Sequence, residues 1–144
     1  MTTRASLSIA VAAIAAAGCQ TIAPTAGGSC NQHECHVGIT VNDCVIQPPD
    51  PDPIGIFAKN VEIHWDLKTV GYTFAPIDPR DPSKGGIAFK GDTQNQFDNP
   101  KLVNQDTKFI WHDKNTVPGT YRYTVRVMQG AAACPPLDPS IINN

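Results

Sequence analysis

Seven consecutive residues hold the densest set of metal-capable side chains in the chain: Cys30-Asn31-Gln32-His33-Glu34-Cys35-His36. The thiols of Cys30 and Cys35 and the imidazoles of His33 and His36 could hold zinc or copper(I), which favour sulfur and nitrogen donors. The Cys-x4-Cys spacing does not match a zinc knuckle, and no second Cys-x2-Cys half follows. The competing chemistry is oxidation, which pairs such cysteines in an exported protein and leaves the histidines as ordinary loop residues. Disulfides are therefore expected here in preference to a metal centre.

The other two histidines, His64 and His112, each stand next to a tryptophan, Trp65 and Trp111. On a strand, a neighbour of an inward residue faces outward. If the two strands are neighbours, His64 and His112 form a two-histidine surface site, and two ligands make a weak one. Asp50, Asp52, Asp78 and Asp81 lie in proline-rich loops. Their spacing fits no EF-hand, so they are expected as solvated turn residues rather than calcium ligands. Ser29, Ser83 and Ser140 fall in a tether, a loop and a tail. There is no G-x-S-x-G, S-x-x-K or H-E-x-x-H pattern. No catalytic residue, no cofactor and no enzymatic activity are expected.

The five cysteines are Cys19, Cys30, Cys35, Cys44 and Cys134. Cys19 closes a distinctive start: Arg4 supplies a positive charge, Ala5 to Ala17 is apolar, and Ala16-Ala17-Gly18-Cys19 ends in small residues. This stretch resembles the lipobox of bacterial lipoprotein signal peptides. The resemblance implies removal of residues 1–18 and lipidation of Cys19. A transmembrane helix needs about 20 apolar residues, more than are present. Ordinary secretion with cleavage after Ala15-Ala16-Ala17 is the serious alternative. It would leave an odd thiol in an oxidising compartment, whereas lipidation leaves an even set of four. Cys30 with Cys35 and Cys44 with Cys134 is the preferred pairing among three possible ones. A lipid anchor implies the bacterial cell envelope. Gln20 in place of aspartate leans toward the outer membrane.

Lys and Arg total 11 against 13 Asp and Glu, and the cations are scattered singly. No basic cluster exists to attract nucleic acid. Residues 19–29 are small and polar, which suits a flexible tether. The folded domain is expected over residues 30–144. Thirteen prolines and eleven glycines fall in clusters, marking turns between short elements.

Period-2 alternation recurs along that domain. It predicts strands over 36–41, 44–46, 54–56, 60–67, 72–74, 87–89, 108–112 and 120–128. Val61, Ile63, Trp65 and Leu67 share one face, as do Tyr121, Tyr123, Val125 and Val127. The four prolines of residues 47–53 confine that segment to an edge or crossover. Residues 91–106 are expected to be irregular, anchored by Phe97 and Leu102, and 129–144 to be a tail that Cys134 pins down. Short strands, Gly/Pro turns and no helix make an all-β antiparallel sandwich. Trp65, Trp111, Tyr121 and Tyr123 are at core spacing.

Two stretches resemble cupredoxins, the small copper-carrying β-sandwiches. They are Ile54-Gly55-Ile56 followed by Asn60-Val61-Glu62-Ile63-His64-Trp65, and Pro118-Gly119-Thr120-Tyr121-Arg122-Tyr123. The second also looks like immunoglobulin-type bacterial surface domains, where a tyrosine fixes a corner. The resemblance implies a sandwich but not copper chemistry. Val125 stands where the family places its cysteine ligand, and no histidine follows His112. The expected role is a non-catalytic binding or accessory module, anchored to a membrane by lipid, with an unknown protein or small-molecule partner. The alternative is a metal-handling protein that uses His33, His36, His64 or His112.

Overall fold

The computed structural model describes residues 28–144. Cys19 and most of the tether lie outside the described residues. On the N-terminal side, β1 (Gly28–Cys30) leads into β2 (Glu34–Ile39). A hairpin of β3 (Val41–Asn42) and β4 (Val45–Ile46) follows. Its two turn residues, Asp43 and Cys44, have φ of 48° and 63°, the left-handed pair that a two-residue hairpin requires. The turn at Asn60 separates β5 (Ile54–Ile56) from β6 (Val61–Leu67). Next come β7 (Thr73–Phe74), β8 (Ile87–Phe89), β9 (Phe97–Val103) and β10 (Lys108–Asp113). The last four strands are β11 (Gly119–Val125), β12 (Val127–Gln129), β13 (Ala132–Ala133) and β14 (Ser140–Asn143).

Two sheets dominate. One has the order β2-β6-β10-β9 and the other β1-β5-β14-β11-β8, in a sandwich-like all-β fold. A small sheet, β13-β12-β7, extends one end. The proline-rich segment after β4 behaves as a crossover. It touches the edge of β2 through paired backbone hydrogen bonds between Gly38 and Asp50 and then enters β5.

Aromatic side chains meet between the two main sheets. Trp65 lies 5.4 Å from Tyr123, Trp111 lies 5.5 Å from Phe89, and Phe97 lies 5.2 Å from Tyr121, all between ring centroids. The tilted and edge-on angles suit the ring quadrupoles. The Trp111 indole N–H donates to the Ile87 carbonyl at 2.9 Å, a direct bond from one sheet to the other. All four expected core aromatics are buried, as are Ile54, Ile63, Val125 and Ile141. Fully burying one such side chain stabilises by about 1.5–3 kcal/mol before entropy is counted.

Both disulfides form with the expected partners. Cys30 joins Cys35, with Cα atoms 5.5 Å apart, and Cys44 joins Cys134 at 5.1 Å. The second staples the β3–β4 hairpin to the chain just after β13.

Four expectations are corrected. The sheets are not purely antiparallel: β2 pairs with β6, β1 with β5, and β14 with β5, all in parallel. Alternation reports which face is wet and not strand direction, so the pattern carried no signal for this. Residues 97–103 are a strand and not irregular. A register shift between Ile110 and His112, opposite Asn99 and Pro100, breaks the alternation that would have revealed it. Its proline is tolerated because β9 is an edge. The supposed tail supplies β14, which lies between β5 and β11. The continuous strand expected over 120–128 breaks at Arg126, whose guanidinium donates to the carbonyls of Ser83 and Gly85.

Candidate functional site

The outer face of β2-β6-β10-β9 collects most of the titratable chemistry. Outward positions alternate along β6 as Glu62, His64 and Asp66, and cross-strand register then aligns the rest. His36 is opposite His64, Glu34 is opposite Glu62, and His112 is opposite both Glu62 and Asp98. Three of the four histidines therefore share one face.

Three carboxylates on that face each sit between a histidine and a lysine. Asp66 accepts from His36 Nδ1 at 2.8 Å and pairs with Lys108 at 3.1 Å. Glu62 contacts His64 Nε2 at 3.3 Å and Lys101 at 3.4 Å. Asp98 contacts His112 Nδ1 at 2.8 Å and Lys114 at 3.2 Å. All three carboxyls are held below their usual range. For Glu62 the His64 hydrogen bond dominates, followed by Lys101. For Asp66 and Asp98 burial pushes upward, and the hydrogen bonds from the histidine and the lysine together outweigh it.

His36 and His64 are the closest imidazoles, with ring centroids 4.9 Å apart. His64 is buried beneath this neighbourhood, and its Nδ1 has no hydrogen-bond partner. Alternation puts His64 on the water-facing side, yet it is buried, and the imidazole beside it is that of His36. β6 and β10 are neighbours, yet His64 is opposite Ile110, which offsets it from His112 by two residues. His33 is exposed just before β2, and its carbonyl accepts from the Glu62 N–H at 2.7 Å. The thiols of Cys30 and Cys35 are consumed by their disulfide. Among the described residues, no group of three or more His, Cys, Asp or Glu is arranged to hold a metal ion. The loop aspartates behave as turn residues: Asp78 accepts from the Arg80 N–H at 2.8 Å, and Asp81 pairs with Lys84 and Ser83.

A second region lies at the end of the sandwich where β6 exits. The Val41 N–H donates to Thr69 Oγ1 at 2.9 Å and the Cys44 N–H to the Tyr72 hydroxyl at 3.2 Å, which docks the hairpin onto the 68–72 loop. The Leu67 N–H donates to the Thr107 carbonyl, which brings in the turn after β9. Val45, Val70 and Val103 are exposed on these segments, Val70 at 96%. Val70, Tyr72, Thr107 and Gly130 line an open groove of about 600 Å³ there. Sequence reasoning missed this end, because the exposed valines belong to three separate segments.

No helix among the described residues is long and apolar enough to cross a membrane. No protein-family model matches the chain, and no curated protein matches it at a significant level.

Proposed function

We propose that this protein is a lipid-anchored, non-catalytic binding or accessory module of a bacterial cell envelope. Residues 1–18 would act as the signal and Cys19 as the acylated residue, with placement at the outer membrane, which fractionation would test. The sandwich would be of cupredoxin-like or immunoglobulin-like type. The Tyr121 hydroxyl donates to the Val117 carbonyl four residues upstream at 3.0 Å, which favours the immunoglobulin-like corner. The pairing of Cys30, Cys35, Cys44 and Cys134 supports an oxidising compartment and leaves Cys19 free for modification.

The observation that carries a binding role is Val70, an apolar side chain 96% exposed on the lining of this groove. Loops at one end of a sandwich can vary without disturbing the core that holds them. Exposed apolar groups in such a place suit a protein or apolar small-molecule partner. The experiment is affinity capture from detergent-solubilised envelope, comparing wild type with Val70→Asp. A partner retained by wild type and lost from the variant supports the reading. Identical capture by both proteins removes this end from consideration.

Metal handling is the second reading, favoured by the His36–His64 pair and its surrounding carboxylates. Zinc titration of wild type against His36→Ala tests it. Saturable binding that is lost in the variant supports it.

A further inference from the structure

The direction of β1 sets the side from which the chain enters the sandwich. β1 runs parallel to β5, and β5 runs parallel to β14. All three finish at one end, where Cys30 is level with Ile56 and Ile56 with Asn143. There Asn143 Nδ2 donates to Asp113 Oδ1 at 3.1 Å. Asp113 is opposite Val61, so β10 stops and β6 begins at this same end. β6 then runs the length of its sheet to Leu67, and the turn that carries Val70 follows. β1 therefore points away from the Val70 end, and the chain enters it from that side. Residues 20–27 are all that separate Cys19 from Gly28. A chain covers at most about 3.3–3.6 Å per residue, so the stretch from Cys19 to Gly28 cannot exceed about 30 Å. An anchor on so short a lead, entering from the Val70 end, draws that end toward the surface in which the lipid sits.

The side chains presented there suit such a surface. Val70 is 96% exposed. Gly71 completes its turn with φ of 88°, a conformation that glycine adopts at no steric cost. The turn is held on either side of Val70, by Thr69 Oγ1 and by the Tyr72 hydroxyl, which accept from the β3–β4 hairpin. That hairpin adds Val45, 57% exposed. Lys68 is exposed two residues before Val70, and the carboxylate it influences, Asp66, is paired with His36 and Lys108 instead. An apolar tip with an ammonium beside it matches the boundary between acyl chains and anionic headgroups. The other end also exposes an apolar side chain, Phe57 at 51%, close to Lys59. The side of chain entry chooses between the two ends.

We propose that the 68–72 turn, led by Val70, rests on the anionic lipid surface that holds the anchor, so that the sandwich stands with Phe57 directed away from it. The proposal rests on the acylation of Cys19 and takes lipid as the apolar partner of Val70. The anchor supplies the attachment, and the turn sets the orientation. A contact too weak to hold a free domain suffices, because a short tether gives an effective concentration in about the millimolar range.

The test uses the mature protein, purified from its envelope and reconstituted into vesicles of phosphatidylethanolamine and phosphatidylglycerol. An environment-sensitive fluorophore is attached at Val70→Cys or, separately, at Phe57→Cys. Cys30, Cys35, Cys44 and Cys134 are bonded in pairs and leave the new thiol as the labelling site. The label at position 70 should emit further to the blue and be quenched by brominated lipid several-fold more than the label at 57. Lys68→Glu, or vesicles without phosphatidylglycerol, should reduce that quenching. Equal quenching of the two labels, stronger quenching at 57, or none at either position overturns the proposal. So does a protein partner that Val70→Asp fails to capture while the label at 70 stays unquenched, which would give this turn to a protein. Intact mass and flotation with the vesicles read the anchor independently of the labels. An unmodified Cys19 on protein that does not float ends the anchored reading and this proposal with it, whereas floating protein with an unquenched label at 70 ends this proposal alone.

Discussion

His36 on β2 lies directly across a parallel strand pair from His64 on β6, and the exposed ring covers the buried one. This explains how a histidine on the wet side of a sheet becomes buried. The edge strand carries another imidazole at the same register, and the two rings shield each other. The buried partner retains an unsatisfied Nδ1.

Replacing His64 with phenylalanine removes that orphaned nitrogen and keeps the ring, at the loss of one long contact to Glu62. The variant should lie within about 1 kcal/mol of wild type. Urea titration measures it. A much larger loss would mean that Nδ1 has a partner in solution.

Glu62, Asp66 and Asp98 are all held below the ordinary carboxylate range in the folded state. Their contribution is therefore present above the unfolded pKa values, about 3.9–4.3, and is lost as pH falls through the lower folded values. Asp113 has the opposite sign because burial raises it. Its contribution is present at low pH and lost as pH rises through the folded value. Stability curves against pH should thus show an acid limb that flattens in the triple variant Glu62→Gln, Asp66→Asn, Asp98→Asn. An unchanged limb would dismiss the histidine–carboxylate–lysine sets as stabilising elements.

The Cys44–Cys134 bridge spans a sequence separation of 90. Replacing both cysteines with alanine should destabilise by about 4 kcal/mol, from the added freedom of the unfolded chain. Denaturant midpoints provide the comparison. Thiol titration of the denatured, unreduced protein should detect none of Cys30, Cys35, Cys44 or Cys134.

Lipidation of Cys19 predicts that Cys19→Ser either releases the protein from membranes or accumulates as uncleaved precursor. Intact mass of the mature wild-type protein reads the outcome directly. A mass matching an unmodified chain that begins at Gly18 would rule out the anchor.

Copper(II) added to metal-free mature protein should produce no intense thiolate-to-copper band. Val125 is buried in β11 where a cupredoxin would supply its thiolate, and Cys134 is bonded to Cys44. Such a band, lost in Cys134→Ser, would move metal handling to first place.

The strands legible from sequence were those whose alternation spans several residues, above all β6 and β10 with their tryptophans. The preferred disulfide pairing is the one that forms, although sequence alone does not choose among the three arrangements that four cysteines allow. Harder to see were elements whose identity comes from their neighbours. Ser140–Asn143 carries only two apolar residues, Ile141 and Ile142, after a proline, and becomes a strand because β5 and β11 bond to it from both sides. Gln96 gave no signal, yet its buried amide oxygen accepts from the Thr116 N–H at 2.8 Å and the Val117 N–H at 3.1 Å. The gathering of His36, His64 and His112 was half legible. Alternation gives the face, but cross-strand register, which decides who meets whom, is a property of the assembled sheet.

β14 has its own consequence for assembly. Without residues 140–143, β5 and β11 have no common neighbour, and the five-stranded sheet is split into separate pieces. A chain delivered N-terminal end first can form the β3–β4 hairpin and much of the β2-β6-β10-β9 sheet early. It cannot join the opposite layer until this late segment arrives to be clamped between strands made long before. Closure therefore waits for residues 140–143, and a chain halted before them would remain open, with its aromatic interior available to chaperones and proteases.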